Sequence, residues 1–156
     1  MARIFKNEFS WSVSRWQQFQ YCKRAYYYNY YGSWGGWERE APDRVRQLYI
    51  LKNMKTLLMW AGIIVHDLIK LELEQYSRGE GLTPLQGLKD RARQLLRQGW
   101  IESVSKEWLN NPKKTNLFEL YYGDGKSLPK EETDYVRDRI YNCLEAFHNS
   151  PYVKEL

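Results

Sequence analysis

The stretch PDRVRQLYILKNMKTLLMWAGIIVHDLIKLELEQY, residues 42–76, decides the fold class. Val45, Leu48, Leu51, Leu58, Val65, Leu68 and Ile69 recur along it at helical spacing, with Lys55, Met59 and Gly62 on the same trace. That is the rhythm of an amphipathic α-helix; a half-buried strand would change sides at every residue. Pro42 suits the start, because its missing N–H would have no partner in a first turn. The spacing predicts one long helix over 43–76, ended by Gly79-Glu80-Gly81, with Gly62 as a point of bending or close approach.

Upstream, Ser12 or Ser14 can cap a helix from about Ser14 to Tyr30, since a serine oxygen accepts from the free N–H groups of a first turn. Trp16, Phe19, Tyr26, Tyr27 and Tyr30 share its spacing, and Gly32-Ser33-Trp34-Gly35-Gly36 ends it. Downstream, residues 84–109 carry a stripe of Leu85, Leu88, Ala92, Leu95, Leu96, Gly99 and Val104. Residues 129–148 carry Val136, Ile140, Cys143, Leu144 and Phe147, with Glu131, Glu132 and Asp134 where a helix dipole favours acid. Residues 116–122 read either as a strand or as aromatic packing ahead of the turn Gly123-Asp124-Gly125. The expectation is a mostly α helical bundle, one helical domain or fragment over 1–156. Its core is expected to hold Trp16, Phe19, Leu48, Leu58, Val65, Leu95, Ile140, Leu144 and Phe147.

The totals narrow the class without fixing it. A chain of 156 residues with 43% hydrophobic and 28% charged residues is globular in composition. A net charge of +5 permits an acidic polymer as partner but does not demand one, and the basic residues of 84–109 suit a solvated helix face. The two cysteines, Cys22 and Cys143, form no Cys-x-x-Cys pair, and Cys143 falls on an apolar stripe that reads as core. No apolar run approaches the roughly 20 residues of a membrane span, and MARIFKNEF has no apolar signal core. A cytoplasmic setting with free thiols is the expectation. The closing PYVKEL reads as the first residues of a further element, as in a truncated chain.

Two motifs occur in order. The first is SWSVSRWQQFQYCKRAYYYNYYG at 10–32, the second Gly62-Ile63-Ile64-Val65-His66. Together they resemble the opening of RecB-like PD-(D/E)XK nucleases: a Ser-x-Ser, an aromatic helix, a Cys-Pro-Arg followed by aromatics, and then Gly-x-x-x-His. Ser12, Ser14, Phe19, Cys22, Arg24 and Tyr26 to Tyr28 match, while Lys23 stands where the family has Pro. The resemblance covers about 10–70. It implies the N-terminal helical portion of an α/β nuclease domain that cuts DNA with Mg2+ or Mn2+, with His66 as a metal ligand in the full-length protein. It allows Cys22 as one ligand of an iron–sulfur cluster, although three further cysteines are needed and are not present.

The family's Asp and Glu-x-Lys are missing. Pro42-Asp43 has the letters of the motif's first half but lies at a helix start ahead of His66. A lone histidine cannot hold Mg2+, which needs several oxygen ligands, so the chain alone is expected to be inactive. The carboxylates would come from a C-terminal nuclease core or from a completing chain.

Other readings stay open. His66 can be an ordinary helix histidine, and Cys22 a small buried hydrophobe. Lys23, Arg24 and Tyr27 can form a stacking and phosphate-contacting surface, or they can be solvated and packed. The alternative to a nuclease is a non-catalytic helical module for DNA or protein interaction. Apolar surface left without a β-core would favour a homo-oligomer.

Overall fold

The computed structural model describes residues 7–154. Met1–Lys6 and Glu155–Leu156 lie outside the described residues, and with them most of the MARIFKNEF segment and the end of PYVKEL. The described residues are mostly helical; their only strand-like feature is an isolated parallel bridge between Lys55 and Leu117. None of their helices is long and apolar enough to cross a membrane.

The expected helix over 14–30 is broken into pieces. Ser12 is extended and its hydroxyl accepts from the Arg15 N–H, which starts α1 over Val13–Tyr21. Cys22, with φ −157°, cannot continue α1, and its Sγ accepts from the Ala25 N–H at 3.4 Å. α2 (Lys23–Tyr27) starts from that thiol cap and runs into a π-turn over Tyr28–Gly32.

The long helix expected over 43–76 is two helices, α3 (Asp43–Lys52) and α4 (Leu57–Ser77). The interruption has identifiable partners. The Asn53 side chain donates to the Tyr49 carbonyl at 2.8 Å, closing α3. Lys55 is drawn into extended pairing: its N–H donates to the Asn116 carbonyl at 3.0 Å, and its carbonyl accepts from the Phe118 N–H at 2.8 Å. Thr56 then caps α4 by accepting from the Met59 N–H, and Glu119 accepts from the Leu57 N–H at 3.0 Å. Two orphan donors of α4 are thereby satisfied.

The remaining elements follow the sequence more closely. α5 spans Leu85–Val104, with a 3₁₀ turn at Glu107–Leu109 after it. α6 is a short helix over Phe118–Tyr122, so 116–122 is a single bridge followed by a helical turn. α7 spans Lys130–His148 and α8 spans Pro151–Lys154.

The chain divides into two compact units: Met1–Met54 with Trp108–Lys113, and Lys55–Glu107 with Lys114–Leu156. In the first, Gly36 lies against α3. A Cβ there would come within 2.3 Å of Tyr49 Cβ and 2.7 Å of the Val45 carbonyl, so only glycine permits the approach. Trp37 packs edge-on against both Trp34 and Tyr49 beside it.

In the second unit α4, α5 and α7 enclose the core. Its members are Leu57, Ala61, Ile64 and Leu68 from α4, Leu88 and Ala92 from α5, and Val136, Ile140 and Leu144 from α7. Leu117 and Leu120 close one side. Each fully buried Leu or Ile is worth about 1.5–3 kcal/mol relative to water.

This corrects the expected core. Ile140 and Leu144 are buried, and Val65 and Leu95 pack partly against the core. Leu48, Phe19 and Phe147 are half-buried, and Trp16 is exposed. Leu58 is 53% exposed, because the buried stripe of α4 runs 57–61–64–68; of the expected trace Leu68 falls on it, and Val65 and Ile69 pack partly beside it. A one-residue error in register turns a helix face by about 100°. Cys143 is exposed for the same reason, one position off the buried 136–140–144 stripe.

Buried carboxylates fasten the loops. Glu72 continues the buried stripe of α4; its Oε2 accepts from the Thr83 N–H at 2.7 Å, with Arg91 3.9 Å from its Oε1. Glu102 on α5 accepts from Lys114 at 2.7 Å, from the Thr115 N–H at 2.9 Å and from Gln98 at 3.0 Å. Ser103 beside it donates to the Thr115 carbonyl and accepts from the Leu117 N–H.

Candidate functional site

The register of α4 decides what its other face presents. Once Leu57, Ala61, Ile64 and Leu68 are committed to the core, Leu58, Gly62 and His66 share the outward side of the same helix. His66 has a side chain 76% exposed and is not wedged among aliphatic groups. A Cβ added at Gly62, one turn before it, would meet nothing within 4 Å. The imidazole flanks two shallow depressions. One, of about 280 Å3, is bounded by Leu58, Gly62, Val65, Arg139 and Cys143; the other, of about 400 Å3, by Ile69, Lys70, Leu73 and Glu74. Leu58, Met59 and Leu73 leave this face largely apolar around the ring.

The described residues around His66 bring no set of metal ligands into a shared site with it. The Nδ1 of His66 lies 3.4 Å from Oδ1 of Asp67, a long contact with a side chain that is itself exposed. Among the described residues no group of three or more His, Cys, Asp or Glu side chains converges. Mg2+ asks for near-octahedral oxygen ligation at about 2.0–2.1 Å. What α4 offers is one accessible imidazole, with glycine leaving room beside it.

Cys22 is half-buried and free, with its sulfur engaged as the cap of α2. The expected small buried hydrophobe is instead a residue that does a serine's work at a helix start. Nothing among the described residues supplies it with cluster-ligand partners.

The basic and aromatic residues singled out by sequence separate into packed and open groups. Tyr26 packs among Phe19, Tyr30 and Tyr31, with ring centroids 5.4, 5.1 and 5.8 Å away. Tyr27 stacks on Tyr31 at 6.5 Å yet remains exposed. Lys23 and Arg24 are exposed, with the Lys23 ammonium 5.4 Å over the Phe19 ring.

Two further cations belong with these rings: Arg15, which the sequence did not single out, and Lys52, whose helix face reads in sequence as solvated. The Arg15 guanidinium lies 4.3 Å over Tyr30 and donates to the Ser10 carbonyl at 2.9 Å. Lys52 donates to the Asn29 carbonyl at 2.7 Å, and burial followed by the nearby Arg15 charge holds its pKa below lysine's ordinary value. Arg15 and Lys52 both meet Tyr30, which lies on a different helical piece from either, so no short-range spacing signals these contacts. No protein family, curated protein or solved structure matches this chain.

Proposed function

We propose that this chain is the helical part of a RecB-like, metal-dependent DNA nuclease, contributing His66 to a site whose carboxylates lie outside the residues described, and inactive by itself. The observation that carries the reading is the open Gly62–His66 face of α4. The histidine of the motif is accessible, the glycine leaves its approach clear, and the core-forming side chains of the helix, Leu57, Ala61, Ile64 and Leu68, turn the other way. A histidine placed for packing would have no reason to be uncovered beside an unused glycine. The order of the two motifs along the chain supports the same reading.

The test is the complete open reading frame and its product. The expected result is an Asp and a Glu-x-Lys encoded in apolar strand segments beyond Leu156, with Mn2+-dependent cleavage of linear DNA that His66→Ala abolishes. A full product lacking those carboxylates, or one that cleaves DNA equally well as His66→Ala, refutes the reading.

A further inference from the structure

The first unit displays aromatic surface that its own packing leaves unused. Phe9, Trp11, Trp16, Tyr21 and Tyr27 are 74%, 68%, 49%, 91% and 56% exposed. Isolated exposed rings are ordinary, but grouped ones mark a surface that meets something. Three of them are grouped: Phe9, Trp11 and Trp16 line, with Arg15, Phe19 and Tyr26, one groove of about 330 Å3. Its walls are ring faces and edges, and Trp16 and Phe19 are stacked at 22° with centroids 6.0 Å apart.

The charged residues of the segment that builds the groove are mostly basic. Between Asn7 and Trp37 the only acidic residue is Glu8, against Arg15, Lys23 and Arg24. Arg15 is held in place by its bond to the Ser10 carbonyl and by the Tyr30 ring beneath it. Lys23 stands over Phe19, and Arg24 is exposed next to it. An occupant must therefore offer flat apolar faces together with negative charge at close intervals. A single strand of DNA offers both, since every base has a face to stack and every linkage carries a phosphate. A duplex conceals its base faces, and an acidic peptide supplies charge without the flat rings.

We propose that this groove binds single-stranded DNA, with bases stacked on Trp11 and Trp16 and phosphates met by Lys23 and Arg24. Tyr26 and Tyr31 of the tyrosine cluster also line the groove, but their rings pack on one another and on Tyr30 and Tyr27, which leaves Trp11 and Trp16 as the open stacking faces. It involves neither His66 nor a metal, so it stands or falls apart from the nuclease reading.

The experiment is fluorescence anisotropy of a labelled oligothymidylate titrated with the chain in EDTA, at several salt concentrations, beside a duplex of equal length and heparin. Expected are binding at least about tenfold tighter to the single strand than to either control, and a loss of about tenfold in Trp11→Ala. Lys23→Gln should lower the salt slope by about one phosphate contact, and His66→Ala should change nothing. Trp11 is exposed, so its loss should leave the circular dichroism and melting unchanged; if it does not, Phe9→Ala repeats the test on an equally exposed ring. Equal affinity for heparin or duplex, unchanged binding by a folded Trp11→Ala, or ring-dependent self-association in place of DNA binding overturns the proposal.

Discussion

Replacing Glu102 with glutamine should remove a pH-dependent part of the stability. Glu102 is 7% exposed and carries a lowered pKa of about 2 against an ordinary 4.5. Burial alone would raise that value; hydrogen bonds from Lys114, from the Thr115 N–H and from Gln98 outweigh it. The same contact, led by the hydrogen bond to Glu102, holds Lys114 above lysine's ordinary value. At 1.36 kcal/mol per unit, the depression corresponds to about 3 kcal/mol of folding free energy at neutral pH. Lys114 is 37% exposed, so solvent screening brings this to about 2 kcal/mol. Because the folded value lies below the unfolded one, the contribution is complete well above pH 4.5. It is lost as the pH falls through about 2. Urea unfolding of the native chain and of Glu102→Gln, followed by helical circular dichroism at about pH 7, 5 and 3, isolates it, since other titrating groups cancel in the difference. The gap should be about 2 kcal/mol at neutral pH and should shrink by about half or more at about pH 3. A gap that is constant across this range refutes the reasoning.

Other outcomes follow from the register of α4 and from two glycines. Ile64→Ala, at a fully buried position, should cost about 2–5 kcal/mol, whereas Leu58→Ala on the outward face should fall within about 0.5 kcal/mol of the native chain in the same denaturation assay. Gly62→Ala has open space to enter and should stabilise the helix by about 0.5–1 kcal/mol. Gly36→Ala drives a methyl group into Tyr49 and the Val45 carbonyl and should cost about 1–3 kcal/mol or more, read as a lowered melting temperature.

Helical class, the limits of α7 and the start of α5 were legible in the sequence because their stripes are long and meet proline punctuation, whereas α5 ends at Val104, short of the expected Leu109. The break at 53–56 was not. Nothing in Asn53-Met54-Lys55-Thr56 is a strong breaker, and the interruption is enforced by backbone pairing with Asn116 and Phe118, residues far along the chain. The break at Cys22 was hidden for another reason: a thiol is seldom read as a helix cap, yet here it takes the role of a serine oxygen. The buried face of α4 was misread by one position because Leu57 and Leu58, like Ile64 and Val65, are apolar neighbours. Periodicity alone cannot rank such pairs; the packing of α5 and α7 chooses between them. That choice is what leaves Gly62 and His66 facing outward, so the candidate motif was visible in sequence while its accessibility was not.

Mn2+ affinity of the complete gene product, measured by titration with its His66→Gln variant alongside, bears on the assignment most directly. The variant should keep the native melting behaviour and bind the ion at least about tenfold more weakly; equal affinity in the two proteins removes His66 from the metal site.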